Sequence, residues 1–217
     1  MLVKAPRPGF VKTRLVPPLD VHAAAALALA FAADTVAWID ALAPRLHATP
    51  FLYVTPDDAA HELHDIARGL AIRVQGDGDL GRRMHAVVAT LCDDGFEEVV
   101  LVGADSPTLP ESCVRDAFAA LDSGANVALA RADDGGYVLL GLDAPYATLF
   151  EGIAWSTDTV YDTTLRRGRA AGLAVREIAG WYDVDTISAL ARLRSQCVDG
   201  ASARAPRTDA LLKKLSF

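Results

Sequence analysis

Four cations crowd one short segment of an acidic chain. The run Lys4-Ala-Pro-Arg-Pro-Gly-Phe-Val-Lys-Thr-Arg-Leu15 gathers Lys4, Arg7, Lys12 and Arg14, and no acid follows until Asp20. Lysine offers phosphate a point charge and arginine offers it a planar fork. Gly9 lets the backbone come close. These are the parts of a loop that cradles a di- or triphosphate, although the spacing is not that of a Walker loop. The same residues also fit a solvated basic turn with a proline-rich bend.

Carboxylates stand at two separated places. Val102-Gly-Ala-Asp-Ser-Pro107 closes a strongly apolar run with Asp105, and Trp181-Tyr-Asp-Val-Asp-Thr186 adds a second acidic cluster. Two carboxylates from distant segments, with phosphate oxygens filling the other positions, are the usual build of an Mg²⁺ or Mn²⁺ site. The plainer alternatives are an Asp-Ser-Pro turn at Asp105 and a helix cap at Asp185 or Thr186.

Two glycine-rich stretches complete the inventory. Asp133-Asp-Gly-Gly-Tyr137 reads locally as a tight turn, while its carboxylates and Tyr137 equally suit the lining of an acceptor pocket. Gly76-Asp-Gly-Asp-Leu-Gly-Arg-Arg-Met84 leads into a helical pattern, so its backbone amides stand where an anion can be met. His85 follows it and reads as structural or surface rather than catalytic. His61 and His64 have metal-ligand spacing but lie on an acidic, solvated segment. Ser106 has no partner histidine nearby, so a Ser-His-Asp hydrolase is unsupported.

Short apolar runs alternating with helical patterns must position these residues. Strands are expected at Leu2–Ala5, Phe51–Thr55, Ile72–Gln75, Glu98–Gly103, Val127–Arg131, Val138–Leu142 and Ala174–Ile178. Helices are expected near Asp20–Leu42, Asp57–Gly69, Leu80–Asp93, Pro110–Asp122, Thr157–Ala171 and Thr186–Cys197, with Asp20, Asp57 and Thr186 as N-caps. Such alternation means βαβ units: an α/β three-layer sandwich with a mainly parallel sheet. Ligands in such sheets sit beyond the carboxyl ends of the strands, where the loops above fall.

Composition narrows the function classes. The 217 residues suit one domain, here residues 1–197, with residues 198–217 as a linker into a short basic helix at Asp209–Leu215. A 52% hydrophobic share supplies one sizeable core, and a net charge of −7 disfavours nucleic acid and anionic membranes as partners. Three well-separated cysteines, Cys92, Cys113 and Cys197, read as reduced thiols of a cytoplasmic protein. The apolar stretch Ala23–Leu42 is interrupted by Asp34 and Asp40, so a buried or half-buried helix is expected rather than a membrane span. It could also pack against a second copy in a homodimer.

Taken in order, six motifs carry a resemblance. They are Lys4-Ala-Pro-Arg-Pro-Gly with Val11-Lys-Thr-Arg-Leu15, Gly78-Asp-Leu-Gly with Arg83-Met84, Gly103-Ala-Asp-Ser-Pro107, Asp134-Gly-Gly-Tyr137, Trp155-Ser-Thr157 and Asp183-Val-Asp-Thr186. Over roughly residues 1–197 the chain resembles the bacterial DUF2064 family, also described as selenodomain-associated or arsenosugar-type transferases. That family lies in the nucleotide-diphospho-sugar transferase superfamily with the GT-A, Rossmann-like fold. More distantly, the chain is similar to molybdenum-cofactor nucleotidyltransferases and phospholactate guanylyltransferase.

The resemblance implies a transferase moving a sugar from a nucleotide diphosphate to a small-molecule acceptor. A nucleotide would lie against Lys4, Ala5, Pro6, Gly9, Lys12, Arg14, Gly81, Arg83 and Gly103. Asp105 and Asp185 would hold Mg²⁺ or Mn²⁺. Lys12, Asp105 and Asp134 would carry the chemistry, with Asp133 the alternative to Asp134 as base or acceptor-orienting group and the acceptor against Gly135, Gly136, Tyr137, Trp155 and Ser156. The chain departs from the pattern twice. Asp-Ser-Pro replaces Asp-x-Asp, and Met1 stands closer to the Lys-Ala-Pro motif than usual, so a late start or a shortened first strand is expected. Two other functions fit the same residues: a nucleotidyltransferase joining an NTP to a phosphorylated metabolite with pyrophosphate release, and a nucleotide-binding domain without catalysis.

Overall fold

The computed structural model describes residues 1–198, 200 and 203–217. Residues 199, 201 and 202, part of the expected linker, lie outside the described residues. The chain forms two compact units. One comprises Met1–Val74, Gly103–Thr108 and Asp183–Phe217, the other Gln75–Val102 and Leu109–Tyr182.

The first unit is built on strands β1 (Leu2–Lys4), β2 (Phe51–Thr55) and β3 (Ala71–Val74), paired in that order and all parallel. Leu52, Tyr53 and Val54 are buried at consecutive positions of β2, as a central parallel strand covered on both faces requires. Parallel neighbours need a long crossover. Between β1 and β2 it consists of the basic loop, a 3₁₀ turn at Thr13–Leu15 and helix α1 (Val21–Leu42).

Helix α1 starts where the sequence places it, with Asp20 accepting from the amides of His22 and Ala23, each at 2.8 Å. By length and composition it could cross a membrane, with a mean hydropathy of 1.6 in its most apolar window. Every position from Ala30 to Val36 is nevertheless buried inside this unit, including Asp34 and Thr35. A helix apolar all round belongs in a core. Helices α5 (Ile187–Val198) and α6 (Pro206–Leu212) belong to the same unit. Thr186 caps α5, its Oγ1 accepting from Ala189 N at 3.2 Å.

Two local expectations change. Asp57–Gly69 is not an α-helix: Asp57–Leu63 winds as a 3₁₀ helix entered through Pro56, with further i→i+3 turns before β3. Ala59, Leu63 and Ile66 still reach the core, and the Asp- and His-containing stretch has too little helix propensity to impose α geometry. The last helix begins at Pro206, not at Asp209. Proline at the first helical position forfeits only an amide that would be unpaired anyway.

The second unit carries β4 (Val99–Val102), β5 (Val127–Ala132), β6 (Tyr137–Leu142) and β7 (Val175–Trp181), ordered β4-β6-β5-β7. Strand β6 runs antiparallel to both neighbours, whereas β5 and β7 are parallel. The turn Asp133–Gly136 permits this reversal by joining β5 directly to β6. Helices α2 (Leu80–Asp93), α3 (Glu111–Asp122) and α4 (Val160–Ala170) accompany this sheet. Helix α2 is capped by Asp79, which accepts from Arg82 N at 2.9 Å, and buries Gly81, Met84, Val87, Val88 and Leu91 along one face. The cysteines are free thiols: Cys113 and Cys197 are buried and Cys92 is half-buried.

Candidate active site

Three chain segments of the first unit bring charge together. Strand β1 ends at Lys4, and the next residues turn sharply. Ala5 N bonds Thr55 O at 2.8 Å, Arg7 N bonds Ala5 O at 2.8 Å, and Gly9 takes a φ of 79°. Lys4 closes the loop on itself, its Nζ donating to Phe10 O at 2.6 Å. Pro6 is half-buried, while Gly9, Phe10 and Arg14 are exposed.

Arg7 does not face the same way as its neighbours in charge. Its Nε and Nη2 donate to Glu62 Oε1 at 2.8 and 2.6 Å, and its Nη2 also reaches Asp58 at 3.1 Å. These carboxylates hold the guanidinium above its ordinary range, Glu62 first. They also occupy the fork that the sequence offered to phosphate.

Lys12 turns inward. It adopts left-handed backbone, φ 49° and ψ 35°, between the buried residues Val11 and Leu15. A non-glycine residue there is uncommon and stores strain of the kind found at functional positions. The conformation sends the side chain into the unit, where it is 3% exposed and lies 5.5 Å from the Phe31 ring centroid. Its Nζ makes ion pairs with Asp105 Oδ1 and, at 2.8 Å, with Asp185 Oδ1. Burial pulls the ammonium down, but Asp105 and Asp185 together outweigh it and hold Lys12 above its ordinary value.

The two carboxylates are positioned by the backbone between them. Gly103 pairs with Leu2 in a parallel bridge, which fixes the start of the Asp105 segment. Val184 N donates to Asp105 O at 2.9 Å, tying the Asp183–Asp185 segment to it. Asp105 remains 54% and Asp185 35% exposed. Each points one oxygen at Lys12. Two partly solvated carboxylates suit a hard cation whose other positions go to phosphate and water. Among the described residues no cluster of three or more His, Cys, Asp or Glu side chains could hold a metal by itself.

The remaining predicted positions lie in the second unit. Asp134 Oδ1 accepts from Gly136 N at 2.9 Å, which makes it the anchor of the β5–β6 turn. Gly135, at φ 90°, presses on the backbone of Asp158: a Cβ there would lie 2.6 Å from the Asp158 carbonyl carbon. Tyr161 N donates to Gly135 O at 2.9 Å. Trp155 lies over Gly81, where a Cβ would come within 2.6 Å of its indole, and Tyr137 meets its ring edge-on at 6.4 Å. Tyr137 donates to Met84 Sδ at 3.6 Å, and burial pushes its hydroxyl far above the ordinary range. Ser156 follows in left-handed backbone, φ 63°, and is exposed. Arg83 is half-buried one turn into α2. The five positions assigned to an acceptor therefore share one unit with Gly81 and Arg83, and the space at Gly81 is filled by an indole.

Two features carried no sequence signal as a site. Phe31 forms the floor under Lys12, yet reads only as one apolar residue of an apolar helix. In the second unit, a cleft of about 290 Å³ is lined by Asp79, Arg82, His85, Phe150 and Glu151 among others. His85 has the structural role expected of it, with Nε2 3.0 Å from Pro145 O and its ring 5.5 Å from that of Phe150.

The α/β fold and its mainly parallel sheets are those of the nucleotide-diphospho-sugar transferase-like class. A protein from Desulfovibrio desulfuricans G20, provisionally described as a nucleotide-diphospho-sugar transferase, has a crystal structure similar to this one. The TM-score is 0.84 and the identity 33%, over 98% of this chain and 95% of that one. The family model described as "Uncharacterized protein conserved in bacteria (DUF2064)" matches residues 38–157, more than half of the chain. The chain belongs to the DUF2064 family. Weaker likenesses link it to molybdopterin-guanine dinucleotide biosynthesis protein A from Archaeoglobus fulgidus, with TM-score 0.47 and 12% identity over 99% of this chain and 98% of that one. A Bacillus anthracis protein provisionally described as a glucose-1-phosphate thymidylyltransferase, in complex with a sucrose, gives TM-score 0.46 and 16% identity over 100% and 96%. No curated protein matches the chain.

Proposed function

We propose that this protein transfers a sugar from a nucleotide diphosphate to a small-molecule acceptor, with Mg²⁺ or Mn²⁺ held by Asp105 and Asp185. The observation that carries this reading is the meeting of Lys12, Asp105 and Asp185 from three distant segments of the first unit. The description of the Desulfovibrio relative, at 33% identity over nearly the whole chain, supports the same class of donor.

In this reading Lys12 and Arg14 supply positive charge to the leaving diphosphate, where negative charge grows in the transition state. Gly9 and the backbone from Ala5 to Gly9 border the phosphates, and Gly103 leaves room beside Asp105. When bound, the cation would add Lewis-acid stabilisation of the same leaving group. In the second unit Asp134, with Oδ1 engaged by the Gly136 amide, is the residue proposed for handling the acceptor. Gly136, Tyr137, Trp155 and Ser156 provide the acceptor surface.

A thermal-shift panel of NTPs, nucleoside diphosphates and nucleotide sugars, each with and without Mn²⁺, tests the reading. A ligand at about 100 times its Kd adds roughly 2.7 kcal/mol of stability. A Mn²⁺-dependent shift with one nucleotide sugar, and none with NTPs, is expected. Preference for a single NTP would instead identify a nucleotidyltransferase. Tight nucleotide binding without turnover over a broad acceptor panel would leave a binding domain.

A further inference from the structure

We propose that Lys12 is a built-in stand-in for the divalent cation, so that cation and nucleotide diphosphate are taken up as a coupled pair and not independently. This rests on the cation reading of Asp105 and Asp185 given above.

The Lys12 ammonium occupies the place where the two carboxylates converge, in contact with the Oδ1 atom of each. It is not a surface lysine that happens to lie nearby. Its side chain is 3% exposed, its ammonium lies 5.5 Å from the Phe31 ring centroid, and its backbone is held in a left-handed turn. Among the described residues no other cation pairs with Asp105 or Asp185. One ammonium thus neutralises half the charge that a divalent cation would neutralise in full.

Two consequences follow from electrostatics. A cation approaching the free protein must displace Lys12 from one or both carboxylates, and a buried ammonium deprived of partners is strongly unfavourable. A diphosphate removes that obstacle, because its oxygens accept from Lys12 and leave the carboxylates to the cation. Each ligand then lowers the cost of binding the other. Coupling of this kind is reciprocal: whatever factor the nucleotide adds to cation affinity, the cation adds to nucleotide affinity. The coupling arises inside one unit and needs no large movement, since the reach of one lysine side chain suffices.

The test measures Mn²⁺ binding by the electron paramagnetic resonance of free Mn²⁺, corrected by protein-free titrations for the Mn²⁺ that each nucleotide binds by itself, which reads occupancy and not activity. Wild type and Lys12→Met are titrated alone, and then with ADP, CDP, GDP or UDP in turn. Methionine keeps the length and apolar stem of lysine, and melting curves establish that the variant is folded. Lys12→Gln is the second variant should methionine fail to fold. Wild type alone is expected to bind Mn²⁺ weakly, and at least about tenfold more tightly beside the preferred nucleotide, within the usual range for coupled sites. Lys12→Met alone is expected to bind Mn²⁺ at least about tenfold more tightly than wild type alone, with little further gain from nucleotide. Equal Mn²⁺ affinity of wild type and variant without nucleotide would overturn the stand-in role and leave the cation site standing. Absence of Mn²⁺ binding by every protein under every condition would overturn both.

Discussion

Lys12 and Asp185 lie 173 residues apart in sequence and are joined by a 2.8 Å hydrogen-bonded ion pair. The bond closes the first unit on itself, linking the loop after its first strand to the segment before α5. Asp105 shares the same ammonium. This is a three-residue network in which the cation is buried and both anions are partly solvated, so the removal of partners is asymmetric in cost.

Loss of either carboxylate leaves Lys12 one partner. Asp105→Ala is expected to cost about 1 kcal/mol or less, because solvent screens an exposed pair. Asp185→Ala is expected to cost about 1–2 kcal/mol. The double variant leaves a buried ammonium with neither partner and is expected to cost about 3–5 kcal/mol, more than the two singles combined. Urea unfolding of the four proteins gives the numbers, and simple additivity would contradict a shared ammonium.

Two arginines of the basic loop differ in what surrounds them: Arg14 is exposed, whereas carboxylates already hold Arg7. Arg14→Ala is expected to weaken nucleotide binding about tenfold, as loss of a charged hydrogen-bond donor does. Arg7→Ala is expected to change it by less than about twofold, because Glu62 and Asp58 already hold that guanidinium. Calorimetric titration with the nucleotide from the thermal-shift panel separates the two. Equal losses would show that Arg7 leaves its carboxylates on binding.

The division between Arg7 and Lys12 illustrates where sequence reasoning stops. Residue types and order were enough to find the strands, because most are short apolar runs between turn residues, and enough to single out Lys12, Asp105 and Asp185. Partnership was not legible. Nothing local to Arg7 names Glu62, which lies beyond a whole strand and crossover, and nothing near Lys12 says that carboxylates meet it before any phosphate does. The 3₁₀ winding of Asp57–Leu63 was hidden for a related reason: a helix and a looser coil can present Ala59, Leu63 and Ile66 to the core with the same spacing. The reversal at β6 depends on a four-residue turn that the sequence shows, although its partners on both sides are set by the sheet.

The resemblance places Gly81 against a nucleotide, and the structure seats the Trp155 indole where a side chain at Gly81 would lie. Gly81→Ala is expected to push the indole aside and to destabilise the protein by about 1–3 kcal/mol, the usual cost of overpacking. Near-ultraviolet circular dichroism and tryptophan fluorescence should both change, since Trp155 also meets Tyr137 edge-on. Trp155→Leu in the Gly81→Ala background should recover much of the lost stability. Were Gly81→Ala to melt like wild type with unaltered fluorescence, the indole would not be seated on that glycine.

Asp34 gives the first unit a pH dependence of definite sign. It is 2% exposed in the middle of α1, and its oxygens accept from the amides of Arg207 and Thr208, at 3.1 and 2.8 Å, where α6 begins. Burial raises its pKa, and the hydrogen bonds from Thr208 and Arg207 only partly oppose this. The native protein therefore keeps the proton over a range where the unfolded chain has already lost it. Stability from this group is complete below the ordinary carboxylate value of 3.8 and declines as pH rises through the raised one. Asp34→Ala removes both acceptors from α6 and is expected to cost about 1–2 kcal/mol. It should also abolish this contribution to the slope. Urea midpoints measured from pH 4 upward, for wild type and variant, decide the matter: the difference between them must shrink as pH rises. A difference that grows with pH would mean that Asp34 is stabilised as its anion by the start of α6.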